Sequence, residues 1–125
     1  MSGTALILFG HGARDPQWAE PMQKLQARLR ATLPQVPVEL AFLEVMEPRL
    51  PPVAQRLADA GCERIVIVPV FLGQGGHVKR DLAALVQALR ETHPRIAIDC
   101  AAAVGEDDGV LDALAAYCVT SVSGR

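Results

Sequence analysis

Apolar runs alternate with helix-like patterns four times along the chain. Ala5-Leu6-Ile7-Leu8-Phe9 is continuous and apolar, as expected of a strand covered on both faces. Beyond it, Met22, Leu25, Leu29 and Leu33 recur at spacings of three and four, which puts them on one face of a helix. Pro21 suits the first turn of that helix, where its missing N–H would have no partner anyway, and Pro34 and Pro37 end it. Residues 38–44 form a predicted second strand. Pro48, Pro51 and Pro52 then mark a loop and a helix start. The stripe of that second helix is Leu50, Val53 and Leu57, and Gly61 is its natural C-terminal cap. Ile65-Val66-Ile67-Val68 is β-branched throughout and carries the strongest strand signal. Gly73-Gln74-Gly75-Gly76 breaks it. A third helix follows, with Val78, Leu82, Leu85, Val86 and Leu89 on one face and Pro94 at its close. Ile96-Ala97-Ile98 opens a fourth strand. Gly105-Glu106-Asp107-Asp108 reads as a turn with acidic capping residues. The last helix carries Leu111, Leu114, Ala115 and Cys118, and 121–125 is expected to fray.

Four strand–helix units predict an α/β fold of three layers, α/β/α, with helices on both faces of a four-stranded parallel sheet. The crossovers must be right-handed. The common order for four such units is 2-1-3-4, with the topological switch between strands one and three. No linker, low-complexity segment or internal repeat interrupts 1–125, so a single domain is expected. An open sheet of four strands has two unprotected edges and little bulk. A twofold homodimer is therefore expected.

Composition narrows the function. Half of the 125 residues are apolar but only 4% are aromatic, so the core is built from Leu, Val, Ile and Ala. The formal net charge of −2 gives no case for nucleic-acid binding. An acidic ligand would need a local basic patch. The three cysteines, Cys62, Cys100 and Cys118, are odd in number and show no C-x-x-C spacing. They read as buried apolar thiols in a reducing cytosol, not as a disulfide framework or a thiolate zinc site. The run 4–9 lacks basic residues before it and a cleavage-like sequence after it, and 65–72 is too short to span a bilayer. A cytoplasmic protein with no membrane association is expected.

The candidate chemistry lies where the loops leave the strands. In an open parallel sheet, ligands bind beyond the carboxyl ends of the strands, at the switch point. His11, flanked by Gly10 and Gly12, follows strand one; His77, after Gly75 and Gly76, follows strand three and opens a helix. Glycine permits a sharp turn and close approach of a ligand. At a helix start the dipole disfavours imidazolium, and neutral imidazole is the metal-binding form. A lone loop histidine is ordinarily just solvated. Two on one predicted rim make a candidate metal pair. Glu44 ends strand two beside them, as proton acceptor or third ligand, with Glu47 a rival. Two imidazoles and a carboxylate leave coordination positions open, as catalysis requires, and suit divalent Co, Ni, Zn or Fe. His93, before Pro94 at a helix C-terminus, reads as structural. Arg14, Arg49, Lys79 and Arg80 follow the candidate groups in sequence and could together receive a ligand bearing several carboxylates.

These residues also carry a resemblance. The stretch Leu8-Phe9-Gly10-His11-Gly12-Ala13-Arg14-Asp15-Pro16, then Ala41-Phe42-Leu43-Glu44 with Pro48 and Leu50, then Pro69-Val70-Phe71-Leu72 with Gly76-His77-Val78 and Asp81, is similar to the short-form sirohydrochlorin cobaltochelatases, the CbiX family of class II chelatases. The similarity runs over about residues 4–118. Ala13 stands where that family often has Ser, and Ala83 where it often has Pro. The resemblance implies a chelatase-like half-unit that acts as a homodimer. It implies insertion of a divalent metal, Co2+ foremost with Fe2+ or Ni2+ in relatives, into a sirohydrochlorin-type tetrapyrrole, with His11 and His77 holding the metal and Glu44 assisting. Such insertion removes two N–H protons from the macrocycle, for which Glu44 or a histidine is a suitable base. The substrate's eight carboxylates would give the basic residues a purpose. No ATP-binding glycine loop is present, and no organic cofactor is expected.

Two other readings share the same residues. A histidine-phosphatase-like phosphoryl transferase would use His11 as nucleophile, but its strand-one motif has Arg where this chain has Gly10. A non-catalytic metal or tetrapyrrole carrier would bind without inserting.

Overall fold

A computed structural model describes residues 3–124. Four strands, β1 (Thr4–Gly10), β2 (Val38–Phe42), β3 (Arg64–Pro69) and β4 (Ala97–Cys100), alternate with four helices, α1 (Glu20–Thr32), α2 (Leu50–Asp59), α3 (Gly76–Thr92) and α4 (Asp108–Val122). Short 3-10 turns at Pro16–Ala19 and Val104–Glu106 precede α1 and α4. The strands are all parallel in the order β2-β1-β3-β4, as the alternation predicts. Leu8 lies opposite Leu40 on one side and Val68 on the other, so neighbouring strands present their apolar residues to the same face.

The two faces are covered unequally. Ala5, Ile7, Phe9, Ile65, Ile67 and Ile98 face α2 and α3, and meet Leu50, Val53 and Leu57 from the first and Leu82, Val86 and Leu89 from the second. The opposite face, built on Leu8, Val38 and Phe42, receives Met22, Leu25 and Leu29 of α1. β1 and β3 are central; β1 is buried on both faces from Ile7 to Gly10, whereas β3 is buried on the face of Ile65 and Ile67 and only half-buried on the other. Truncating a fully buried isoleucine to alanine costs about 2–5 kcal/mol, so Ile7, Ile65 and Ile67, all at 0% exposure, are each a sizeable part of the fold's stability.

Helix ends follow the expected chemistry. Pro21 lies in the first turn of α1. Gly61 adopts φ +91° just past α2 and donates its N–H to the Ala58 carbonyl, the left-handed exit that glycine makes without strain. Asp107 caps α4 by accepting from the Val110 N–H at 3.1 Å. His93, buried, ends α3 with its backbone N–H on the Leu89 carbonyl.

Three boundaries differ from expectation. β2 stops at Phe42, so Glu44 stands in a loop and not at a strand end. The Leu43 and Glu44 N–H groups have turned to the carbonyls of Gly10 and His11, and Val45 takes φ 71°, a left-handed conformation that no strand can contain. Ile96 lies outside β4, because its N–H closes a turn onto the His93 carbonyl. The segment expected to fray is helical through Val122. There the hydroxyls of Thr120, Ser121 and Ser123 donate to the carbonyls four residues earlier, so the polar run is satisfied within the helix. Arg125 lies outside the described residues.

α4 also stands apart from the three layers. None of its residues is buried, and Leu111, Leu114, Tyr117, Val119 and Val122 are all exposed. The sheet face served by α1 is correspondingly underfilled, with Leu6, Val66, Val68 and Val70 only partly buried. Among the described residues, no helix is long and apolar enough to cross a membrane.

Candidate active site

The switch point lies between β1 and β3, and the segments that carry the two histidines, the loop after β1 and the loop from β3 into α3, leave the sheet there. His11 directly follows β1. Its loop stacks on the loop after β2 through two backbone bonds, Leu43 N–H to the Gly10 carbonyl at 2.9 Å and Glu44 N–H to the His11 carbonyl at 3.2 Å. Gly12 makes this possible. Its φ is +99°, and a Cβ there would collide with the Glu44 carbonyl oxygen. The stacking brings His11 Nε2 to 3.9 Å from Glu44 Oε2, with both side chains about half exposed. The other ring nitrogen, Nδ1, is 3.4 Å from the Gly12 carbonyl.

The same geometry decides between the two candidate glutamates. Glu47 lies 3.4 Å from Arg49, whose Nε also donates to the Met46 carbonyl at 3.2 Å. Glu47 is thus engaged away from His11, and Glu44 is the carboxylate beside it.

An apolar pocket of about 450 Å³ opens next to His11, walled by Ala13, Trp18, Met22, Phe42 and Met46. Asp15 accepts from the Gln17 N–H at 2.9 Å and starts the short turn that carries Trp18 to the pocket's mouth. Trp18 is 72% exposed. A large indole left in water at the edge of an apolar recess is a ready surface for a flat ligand. Sequence reasoning passed over Trp18, although it is the chain's one tryptophan and lies just beyond the His11 motif.

His77 is the second residue of α3. The loop before it is tied to the 3-10 turn that follows β4. Gly105 donates to the Phe71 carbonyl at 2.9 Å and packs so closely on the Leu72 carbonyl that no side chain fits there, and Gln74 donates to Glu106 at 3.3 Å. His77 Nε2 lies 3.1 Å from Asp81 Oδ2, one helical turn on. Asp81 lines a recess shared with Glu44 and Arg49. The rim therefore holds two imidazole–carboxylate pairs, His11 with Glu44 and His77 with Asp81. Among the described residues, no three His, Cys, Asp or Glu side chains converge as one ion-holding group. The expected convergence of His11, His77 and Glu44 is met by His11 and Glu44 alone.

The basic residues do not gather into one patch. Arg14 is exposed on the His11 loop, and Arg49 is turned to Glu47. The Arg80 guanidinium lies over Gly76. Lys79 lines a different groove, with Leu82, Val86, Arg90 and Cys100. Partial desolvation by the groove raises the Cys100 thiol above its ordinary range although the residue is exposed, and Arg90 offsets this in part. Cys62, Cys100 and Cys118 are free, but they are not the buried thiols expected: Cys62 is half-buried, and Cys100 and Cys118 are exposed on β4 and α4.

The family model CbiX matches residues 5–119. The sirohydrochlorin cobaltochelatase of Methanocaldococcus jannaschii is 35% identical over 89 residues, which are 71% of this chain and 62% of that one. The chain thus spans less than two thirds of that relative's length. Among solved structures, a cobalamin (vitamin B12) biosynthesis CbiX protein from Marinobacter aquaeolei VT8 superposes with a TM-score of 0.82 at 26% identity, covering 98% of this chain and 99% of that one. SirB from Bacillus subtilis, solved with Fe3+, superposes with a TM-score of 0.73 at 25% identity over 88% of this chain but only 44% of its own. With the sheet order and a family match over nearly the whole length in agreement, the chain belongs to the CbiX family.

Proposed function

We propose that this protein is a cytoplasmic chelatase that inserts a divalent metal, Co2+ foremost and otherwise Fe2+, Ni2+ or Zn2+, into sirohydrochlorin without ATP or an organic cofactor. The observation that carries this reading is the His11–Glu44 pair at the mouth of an apolar pocket on the switch-point rim. The name of the M. jannaschii relative supplies the substrate and the metal. His11 and His77 hold the incoming metal through neutral imidazoles, which grip loosely enough to release it. The flat macrocycle lies against Trp18 and the apolar wall. As each pyrrole nitrogen binds the metal it gives up a proton, and Glu44 accepts the two protons in turn and passes them to water. At 57% exposure Glu44 has the solvent contact this needs. Arg14, Arg49, Lys79 and Arg80 are spread around the rim, which suits carboxylates spread around a macrocycle's edge.

The reading extends to a homodimer. Support comes from the apolar surface of α4, the underfilled sheet face beside α1, and the proportion of SirB that the chain spans. A chain about twice as long holds in one piece what two copies of this chain would assemble.

The test is anaerobic insertion of Co2+ into sirohydrochlorin, followed by absorbance. His11→Ala, His77→Ala and Glu44→Gln are each expected to lose about 100-fold or more of the wild-type rate, the scale of a lost acid–base or metal-holding group. An active His77→Ala enzyme would overturn the proposed mechanism.

A further inference from the structure

The carboxylate in contact with His77 is Asp81, and no role above uses it. We propose that Asp81 is a positioning residue: it accepts the Nε2–H of His77 and so commits the opposite nitrogen, Nδ1, to the incoming metal. This inference rests on His77 being a metal ligand.

Neutral imidazole carries one N–H and one lone pair, whereas an ionised carboxylate only accepts. Nε2 of His77 lies 3.1 Å from Asp81 Oδ2, so in the neutral ring that binds metal Nε2 takes the N–H and Nδ1 the lone pair. The i,i+4 spacing stacks the two side chains on one face of α3. Exposure shows which of them steers the other. The His77 side chain is 80% exposed, so little packing holds its ring, whereas Asp81 is 44% exposed and rooted in a wall with Ala84 and Leu85. Without Asp81 the ring would rotate freely in water. A hydrogen-bonded carboxylate also makes the imidazole a stronger donor to metal.

The two pairs then differ in kind. Glu44 stands 3.9 Å from His11, beyond hydrogen-bond reach and free to take up a proton. Asp81 is engaged and fixed.

The test is Co2+ titration of the whole protein without tetrapyrrole, read by the cobalt d–d absorption and by calorimetry. It compares wild type with Asp81→Asn, Asp81→Ala, Asp81→Glu and His77→Ala. Asp81→Asn and Asp81→Ala are expected to weaken Co2+ binding about 10- to 100-fold, Asp81→Glu to recover part of the loss, and the thermal midpoint to stay near that of wild type. In turnover, KM for Co2+ should rise more than kcat falls. In nitrogen-15 spectra, Zn2+ as a diamagnetic probe should shift the His77 Nδ1 resonance. Wild-type affinity and spectrum in both Asp81→Asn and Asp81→Ala, with binding lost in His77→Ala, would overturn the role of Asp81 and leave the chelatase reading standing. A Zn2+ shift at Nε2 would overturn it equally. If His77→Ala itself binds Co2+ like wild type, His77 is not a ligand and the reading beneath the inference fails first.

Discussion

Gly12 shows how much of the rim depends on a single missing side chain. The Glu44 carbonyl fills the space that a Cβ would take, and the positive φ adds strain for any other residue. Gly12→Ala is therefore expected to destabilise the fold by about 1–3 kcal/mol. It should also part His11 from Glu44, so insertion activity should fall further than the loss of folded protein explains; thermal melting and the absorbance assay on one preparation separate the two effects. Cys100 gives a prediction in pH. Its thiol is raised by partial desolvation, with Arg90 opposing. The folded state thus keeps the proton to higher pH than the unfolded chain does. That contribution to stability is intact below the unfolded value of 9.0 and is lost as pH rises through the folded one. Denaturant midpoints from pH 8 to about 10.5 should decline faster for wild type than for Cys100→Ala. Part of this scale was legible in the sequence, because neighbouring glycines mark both His11, just past β1, and His77, at the start of α3. The choice between Glu44 and Glu47 was not, since it turns on which carboxylate Arg49 occupies. Asp81 did carry a signal, as the fourth residue after a histidine on a predicted helix, but four-residue spacing alone does not separate a functional pair from a solvated one.

The central elements were the most legible. β1 and β3 are apolar on both faces in the sequence because they lie at the centre of the sheet, β1 buried on both faces and β3 buried on one and half-covered on the other. The glycines and prolines that bound α2 and α3 act locally, so they read the same with or without the rest of the molecule. The edges were less legible. β2 ends where the loop after β1 captures the Leu43 and Glu44 N–H groups, and that competition between two loops leaves no mark in either one's periodicity. The C-terminal segment illustrates a different failure. A run of Thr, Ser, Val and Ser looks like a tail, yet it is helical through Val122, with its hydroxyls donating to carbonyls one turn back.

For the molecule as a whole, α4 is the unresolved account. Its apolar residues would stabilise the protein only if something covers them, and the layers of its own chain do not. A second copy is the proposed cover. Leu114→Asp and Tyr117→Asp are expected to halve the mass seen by light scattering at micromolar concentration while the circular dichroism spectrum persists. A wild-type protein that is already monomeric would remove the homodimer from the proposal. Which surface α4 covers was not readable from the chain, because an apolar stripe has one appearance whether it meets its own sheet or another molecule.

A parallel sheet gathers its strand ends by direction. His11, Glu44, His77 and Asp81 all leave from one side, and the turns on the other, around Gly61 and Pro94, touch none of them. That far side is a natural handle. A dye, a surface tether or a fused protein attached there would sit a whole strand's length from the chemistry, so the protein can be held by its base while its rim works.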